Sequence, residues 1–303
     1  MAGDPFDRAF VKGENGVFLT ENKQEVEIPI SAEEYPKEWK GLPDAPPVLY
    51  ARGDIRLLRE RKLTIVGSRR TPTAALKLGT QIAKELSGIM AIVTGTADGG
   101  DSAAIEGALQ GGGKIICVLA GGFSSLPQGN ISLLHEVGKR GLLLSPYPYE
   151  TAVRSFSYEY RNKLLAMFGE GVLVLGAAEK SGALITAKYA QKEGKPIFAL
   201  PYFPGSAAGA GCNLLLKSGG VLTENAADVA FALGISLTEK KRALVLTEEE
   251  RRMWQALTDV SEGHVSELAS KSGIPAFKAR SVLSALEVKG LAVSLGGNRY
   301  APL

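Results

Sequence analysis

The chain offers a run of phosphates its best chemistry in six short segments. Gly67-Ser68-Arg69-Arg70 and Thr94-Gly95-Thr96-Ala97-Asp98-Gly99-Gly100-Asp101 each follow an apolar stretch. Gly121-Gly122 follows a third, with Asn130 further on. Arg161-Asn162-Lys163, then Glu179-Lys180-Ser181-Gly182 ahead of Thr186, and finally Gly209 to Asn213 complete the set. Glycine at a helix start leaves backbone N–H groups open to an anion, and the helix dipole favours negative charge there. Guanidinium and ammonium groups nearby add charge. The candidate contacts with a nucleic-acid strand are therefore Ser68, Arg69, Arg70, Gly95, Gly99, Gly122, Asn130, Phe156, Arg161, Asn162, Lys180, Ser181, Gly182, Thr186 and Asn213. Phe123 and Phe156 lie in the same loops. An exposed ring there stacks a base for roughly 1–3 kcal/mol; a buried one plugs the core under its loop.

Catalytic sets are missing. Gly67-Ser68-Arg69-Arg70 is not a dinucleotide fingerprint, and Gly111-Gly112-Gly113-Lys114 leads into a strand without the Ser or Thr of a phosphate loop. The two cysteines, Cys117 and Cys212, and the two histidines have no zinc spacing and no sequence neighbour that would pair thiol with imidazole. Cys117 sits in an apolar run and reads as a buried strand residue. Asp98 and Asp101 are close, but Asp101 ahead of Ser102 reads as a helix cap, as does Asn130 ahead of Ile131. No acidic cluster marks a metal-dependent nuclease. The expectation is a binder without metal or cofactor, and no enzyme.

The elements that must position these loops are legible. Apolar runs at Leu63–Val66, Ala91–Thr94, Ile115–Leu119, Leu142–Leu144, Val172–Leu175, Ile197–Leu200 and Val221–Leu222 alternate with helical patterns such as Thr73 to Leu86, Ser102 to Leu109 and Ala183 to Gln191. Such alternation predicts a doubly wound, mostly parallel α/β sheet of Rossmann-like type, whose ligands lie beyond the carboxyl ends of the strands. Residues 1–45 are polar and proline-rich toward their end and read as an extended lead-in with little core of its own. The domain proper is expected over 46–235, a polar linker over 236–246, and a second unit over 247–303. Thr247-Glu248-Glu249-Glu250 is a capping box. It opens three helical segments, about Glu248–Leu257, Val265–Lys271 and Ala276–Lys289, and a hairpin around Gly296-Gly297-Asn298 follows. That is the order of a winged helix-turn-helix. Lys278 and Arg280 on its third helix are candidate duplex contacts, the competing reading being a solvated face on a protein-binding module.

The bulk numbers fit. With 303 residues, 45% of them hydrophobic, the chain can build one large core and a small second one. The net charge of +3 permits a polyanion but does not demand one, so any binding charge must be local. No apolar run reaches the roughly 20 residues of a membrane helix, and the N-terminus lacks a secretory pattern, so a cytoplasmic protein without membrane contact is expected.

The segments, in this order, resemble the DNA-processing protein A family (DprA, also known as Smf). The resemblance runs from Tyr35-Pro36 to about Ala230 through Val48-Leu49-Tyr50, Gly53-Asp54, Ile65-Val66-Gly67-Ser68-Arg69, Gly95, Gly99, Asp101, Val118-Leu119, Gly121-Gly122, Arg161-Asn162 and Glu179 to Thr186. It implies an extended Rossmann fold that forms a homodimer, binds single-stranded DNA and loads the RecA recombinase during natural transformation. It further implies that Arg69 and Lys180 line the DNA pocket and that Phe156 is the base-stacking aromatic. Two features depart from the family pattern: Ile105 stands where a histidine is usual, and the first 45 residues are too short for the helical domain many members carry. Two other readings of the same loops are a hydrolase of the glycosidic bond in nucleoside monophosphates and a nucleotide sensor signalling through the winged helix.

Overall fold

The computed structural model describes residues 10–12, 18–20, 25–236, 246–289 and 291–302. The chain divides into two compact units, Met1–Leu237 and Thr238–Leu303.

In the first unit, β1 (Phe10–Lys12), β2 (Phe18–Thr20) and β3 (Val26–Pro29) pair antiparallel in succession. A short helix α1 (Lys37–Lys40) leads to β4 (Val48–Gly53). The parallel body follows: β5 (Lys62–Val66), α2 (Thr73–Leu86), β6 (Ala91–Thr94), α3 (Gly100–Gly111), β7 (Ile115–Val118), α4 (Ile131–Arg140), β8 (Leu142–Ser145), α5 (Ser155–Phe168), β9 (Val172–Val174), α6 (Gly182–Lys192), β10 (Ile197–Ala199), α7 (Ala210–Lys217), β11 (Val221–Leu222) and α8 (Ala226–Ala232). The strand order is β1-β2-β3-β4-β8-β7-β6-β5-β9-β10-β11. From β8 to β11 every pairing is parallel, whereas β4 joins β8 antiparallel. The expected doubly wound sheet is thus present, and its order reverses between β5 and β9.

Physical chemistry explains the central strands. All five residues of β5 are buried, as are all four of β6 and of β7. Strands covered on both faces read as continuous apolar runs, which is why the sequence displayed them. One core layer lies on each face. Leu164, Leu165, Phe168, Ala187 and Cys212 belong to one, and Ile82, Leu86, Ile105, Leu134 and Val229 to the other.

Residues 26–45 differ from the extended lead-in expected of them. Ile28, Tyr35 and Trp39 are buried in the main core. The Trp39 ring lies 4.5 Å from that of Phe168, and its indole N–H donates to Leu164 O. Polar spacing hid these anchors, because a few large side chains carry the burial rather than a periodic stripe.

The second unit holds α9 (Glu248–Val260), β12 (Gly263–His264), α10 (Val265–Ser272), α11 (Ala276–Val288), β13 (Ala292–Gly296) and β14 (Arg299–Pro302), with sheet order β12-β14-β13. Three helices and a small antiparallel sheet follow one another in the order expected of a winged helix-turn-helix. The capping box forms as read: Thr247 Oγ1 accepts from Glu250 N–H, and Glu250 Oε2 accepts from Thr247 N–H. The wing turns through Gly297 and Asn298, both with positive φ, as a two-residue hairpin loop of this kind requires.

Candidate nucleic-acid interface

Two adjoining cavities open at the carboxyl ends of β5, β6, β7 and β9, where the strand order reverses. One, of about 290 Å³, is walled by Gly67, Ser68 and Arg69 from the first loop, Tyr158, Arg161, Asn162 and Leu165 from α5, and Ser181, Gly182, Ala183 and Thr186 from the start of α6. The other, of about 370 Å³, is walled by Thr96, Asp98, Gly121, Gly122, Ser125 and Gly129. Arg69, Ala97 and Tyr158 border both. Together they form a groove with an arginine and a tyrosine on the ridge at its middle.

Close backbone packing sets this geometry. A Cβ on Gly100 would lie 2.3 Å from the Cα of Gly67, so the loops after β5 and β6 touch main chain to main chain. Gly99, at φ +84°, sits against Ser68 O and Arg69 Cα. Only glycine fits there, and the contact holds Arg69 at the groove. Gly122 is enclosed by the carbonyls of Pro148 and Tyr149. Ser68 Oγ accepts from Arg70 N–H in a tight turn. Ser181 caps α6 by accepting from Ala183 N–H.

Beneath Gly95 lies a buried charge pair. Arg161 and Asp101 are 5% and 4% exposed, and a Cβ on Gly95 would strike both side chains. Burial pushes the Asp101 carboxyl up, against the attraction of Arg161 and the hydrogen bond from Ala97 N–H. Arg161 itself is pulled down by burial and held charged by Asp101. Its Nε donates to Asn162 Oδ1, and Asn162 Nδ2 donates to Gly182 O, linking α5 to α6.

Most of the expected residues meet at this edge, with corrections. Asp101 is not the cap of α3: Gly99 holds that position, and the Asp101 carboxylate accepts from Ala97 N–H, close to the buried Arg161. Asn130 caps no helix through its side chain; it ties loops together by donating to Thr96 O and accepting from Ser102 Oγ. Phe123 is buried under its loop, with the Arg52 guanidinium 4.7 Å from the ring centre, so it stacks no base. Asn213 lies away from the groove, where its amide brackets the backbone N–H and C=O of Tyr202. Arg70 and Lys180 are exposed beside the groove without lining it.

Tyr158 is the residue the sequence reading missed. Phe156 is 61% exposed but borders neither cavity, whereas Tyr158, 44% exposed, borders both. The signal was available in the spacing. Tyr158, Arg161, Asn162 and Leu165 form one i, i+3, i+4, i+7 stripe of α5, and Phe156 falls on the opposite side of the helix. On the second unit, Lys278 pairs with Glu249 at 3.1 Å and Arg280 donates to Asn298 Oδ1.

Both cysteines are free and buried. Burial pushes the Cys117 thiol well up, and that of Cys212 to about 12. Among the described residues no group of three His, Cys, Asp or Glu side chains could hold a metal ion, and no helix is long and apolar enough to cross a membrane.

Comparison with known proteins finds one family along the first unit. The model of the family described as DNA recombination-mediator protein A matches residues 27–234. The chain is 39% identical over 181 residues to the DNA processing protein DprA of Bacillus subtilis, covering 57% of this chain and 60% of that one. It is 34% identical over 263 residues to the putative DNA processing protein DprA of Mycobacterium tuberculosis, covering 82% and 67%. Among solved structures, DNA processing protein A of Streptococcus pneumoniae superposes with a TM-score of 0.65 at 33% identity over 68% of this chain and 73% of that one. The Helicobacter pylori protein, studied for its mode of binding single-stranded DNA, gives 0.63 at 31% identity over 69% and 95%.

Proposed function

The chain belongs to the DNA recombination-mediator protein A family, and from that premise we propose that it binds single-stranded DNA along the groove at the carboxyl edge of the sheet. The observation carrying this reading is the shared ridge. Arg69 and Tyr158 stand between two cavities, so one phosphate at Arg69 and one base against Tyr158 leave room for a neighbour on each side. The start of α6 at Ser181 and Gly182 offers N–H groups to a further phosphate, with Lys180 beside it. Arg161 acts indirectly. Its charge is engaged with Asp101, and it shapes the floor rather than gripping the strand. In the cell the protein works as a homodimer of the Rossmann-like unit that protects incoming strands and loads RecA onto them in natural transformation, as a non-catalytic mediator.

Binding of oligo-dT at several salt concentrations tests this. Replacing Arg69 and Lys180 by Ala together lowers affinity for all sequences and flattens the log–log salt slope by about 1.4, since each lost phosphate contact removes about 0.7 for a single strand. Tyr158→Ala costs about 1–3 kcal/mol of binding, while Phe156→Ala leaves it unchanged. An unaltered salt slope in the Arg69/Lys180 variant refutes the groove as the DNA site. RecA nucleation on DNA coated by a binding-protein competitor, with and without this protein, tests the loading step.

A further inference from the structure

The outward face of α11 is unusual for a helix placed to read a duplex. Phe277 and Val288 are 82% and 89% exposed, and Ser281 and Ser284 lie exposed between them. These residues follow i, i+4, i+7, i+11 and so form one stripe. Charge does not favour a polyanion. Residues 246–302 contain seven acidic and seven basic side chains. Lys278, Lys289, Arg251 and Arg299 are in ion pairs with Glu249, Glu250, Glu248 and Glu262.

We propose that this face of α11 docks against the same face of a second copy of the chain, the two helices running antiparallel about a two-fold axis. The stripe is symmetric about the point between Val282 and Leu283. Phe277 and Val288 lie equally far from it, as do Ser281 and Ser284. A two-fold axis there sets Phe277 of each copy against Val288 of the other and brings serine to serine at the crossing, where small side chains allow close approach. The flanking charges match as well. Arg280 and Glu287 share the flank facing the wing, shown by their hydrogen bonds to Asn298 and Ser294 N–H. Antiparallel pairing sets like flank against like flank. It brings Arg280 of one copy within about 3 Å, along the axis, of the level of Glu287 in the other, twice by symmetry. An isologous contact needs one patch complementary to itself, and this stripe meets that condition in apolar pairing, in size and in charge.

The test uses full-length chains with single cysteines. The native thiols are both buried and stay out of the reaction. Phe277→Cys and Val288→Cys chains, one of them tagged, are mixed and mildly oxidised. Because both positions are exposed, neither substitution disturbs the core. The expected result is a covalent mixed dimer formed several times faster than a disulfide in either variant alone. In parallel, Arg280→Glu weakens self-association of this unit by roughly tenfold, as expected for two surface pairs turned repulsive, and mixing it with Glu287→Arg chains restores it. Equal cross-linking rates in mixed and unmixed samples, or failure of the charge reversal to restore association, overturns the proposal. Preferential protection of α11 by duplex DNA, without mixed cross-linking, also overturns it.

Discussion

Replacing Arg161 by Met probes the buried pair on which the groove floor rests. The substitution keeps the apolar stem and removes the charge. Asp101, 4% exposed, then keeps its hydrogen bond from Ala97 N–H but loses its neighbouring positive charge. Breaking a buried pair from one side costs about 3–5 kcal/mol. For a unit of this size each kcal/mol lowers the melting temperature by about 2–4 °C, so the variant melts roughly 6–20 °C below the parent at neutral pH. Removing both charges, in Arg161→Met with Asp101→Asn, recovers most of that loss, because the penalty lies in the orphaned carboxylate. The pH dependence has a definite sign. Burial already raises the folded-state pKa of Asp101, and losing Arg161 raises it further, whereas the unfolded carboxyl titrates near about 3.9. The folded variant therefore binds a proton that the unfolded chain does not, and its stability relative to the parent improves as the pH falls through the raised value. Urea titrations and thermal melts of the four proteins of the cycle, at neutral and mildly acidic pH, measure all of this. A deficit under about 1 kcal/mol that does not change with pH refutes the assignment of Asp101 and Arg161 as a mutually compensating buried pair.

Three further outcomes are expected. Gly95→Ala drives a methyl into Arg161 Nη1 and Asp101 Oδ2, at 2.0 and 2.5 Å for an ideal Cβ, so it lowers both thermal stability and affinity for oligo-dT; unchanged values in both show that the pair yields freely. Asn213→Ala removes both side-chain bonds to the Tyr202 backbone and costs about 1–2 kcal/mol in denaturant titration, with no change in DNA affinity at temperatures where the protein stays folded. Glu250→Gln weakens the cap of α9 and the pair with Lys289 by about 1 kcal/mol. Because Lys289 and the Thr247 N–H hold the Glu250 pKa down, that stability is present above the ordinary Glu range and is lost as the pH falls through the lowered value, so parent and variant converge in acid.

The sequence by itself determined the parallel body and the edge on which the site sits. Strands buried on both faces must be apolar without interruption, and the glycine-rich loops after them must lie at their carboxyl ends, so β5 to β11 and most of the groove were legible as local patterns. The capping box at Thr247 and the wing turn at Gly297-Asn298 are local too, and they formed as read. Only the tertiary structure decided which side chains line the groove. Asp101 reads as a cap because its neighbours are a helix start, yet it is buried beside Arg161, far along the chain. Phe123 sits in a suitable loop but packing against Arg52 buries it, whereas the turn of α5 exposes Tyr158. Trp39 joins the core through contacts with Leu164 and Phe168, more than a hundred positions away, which no local period records. Periodicity registers a residue's relation to its own element, whereas burial of a lone charge or aromatic depends on which distant group meets it.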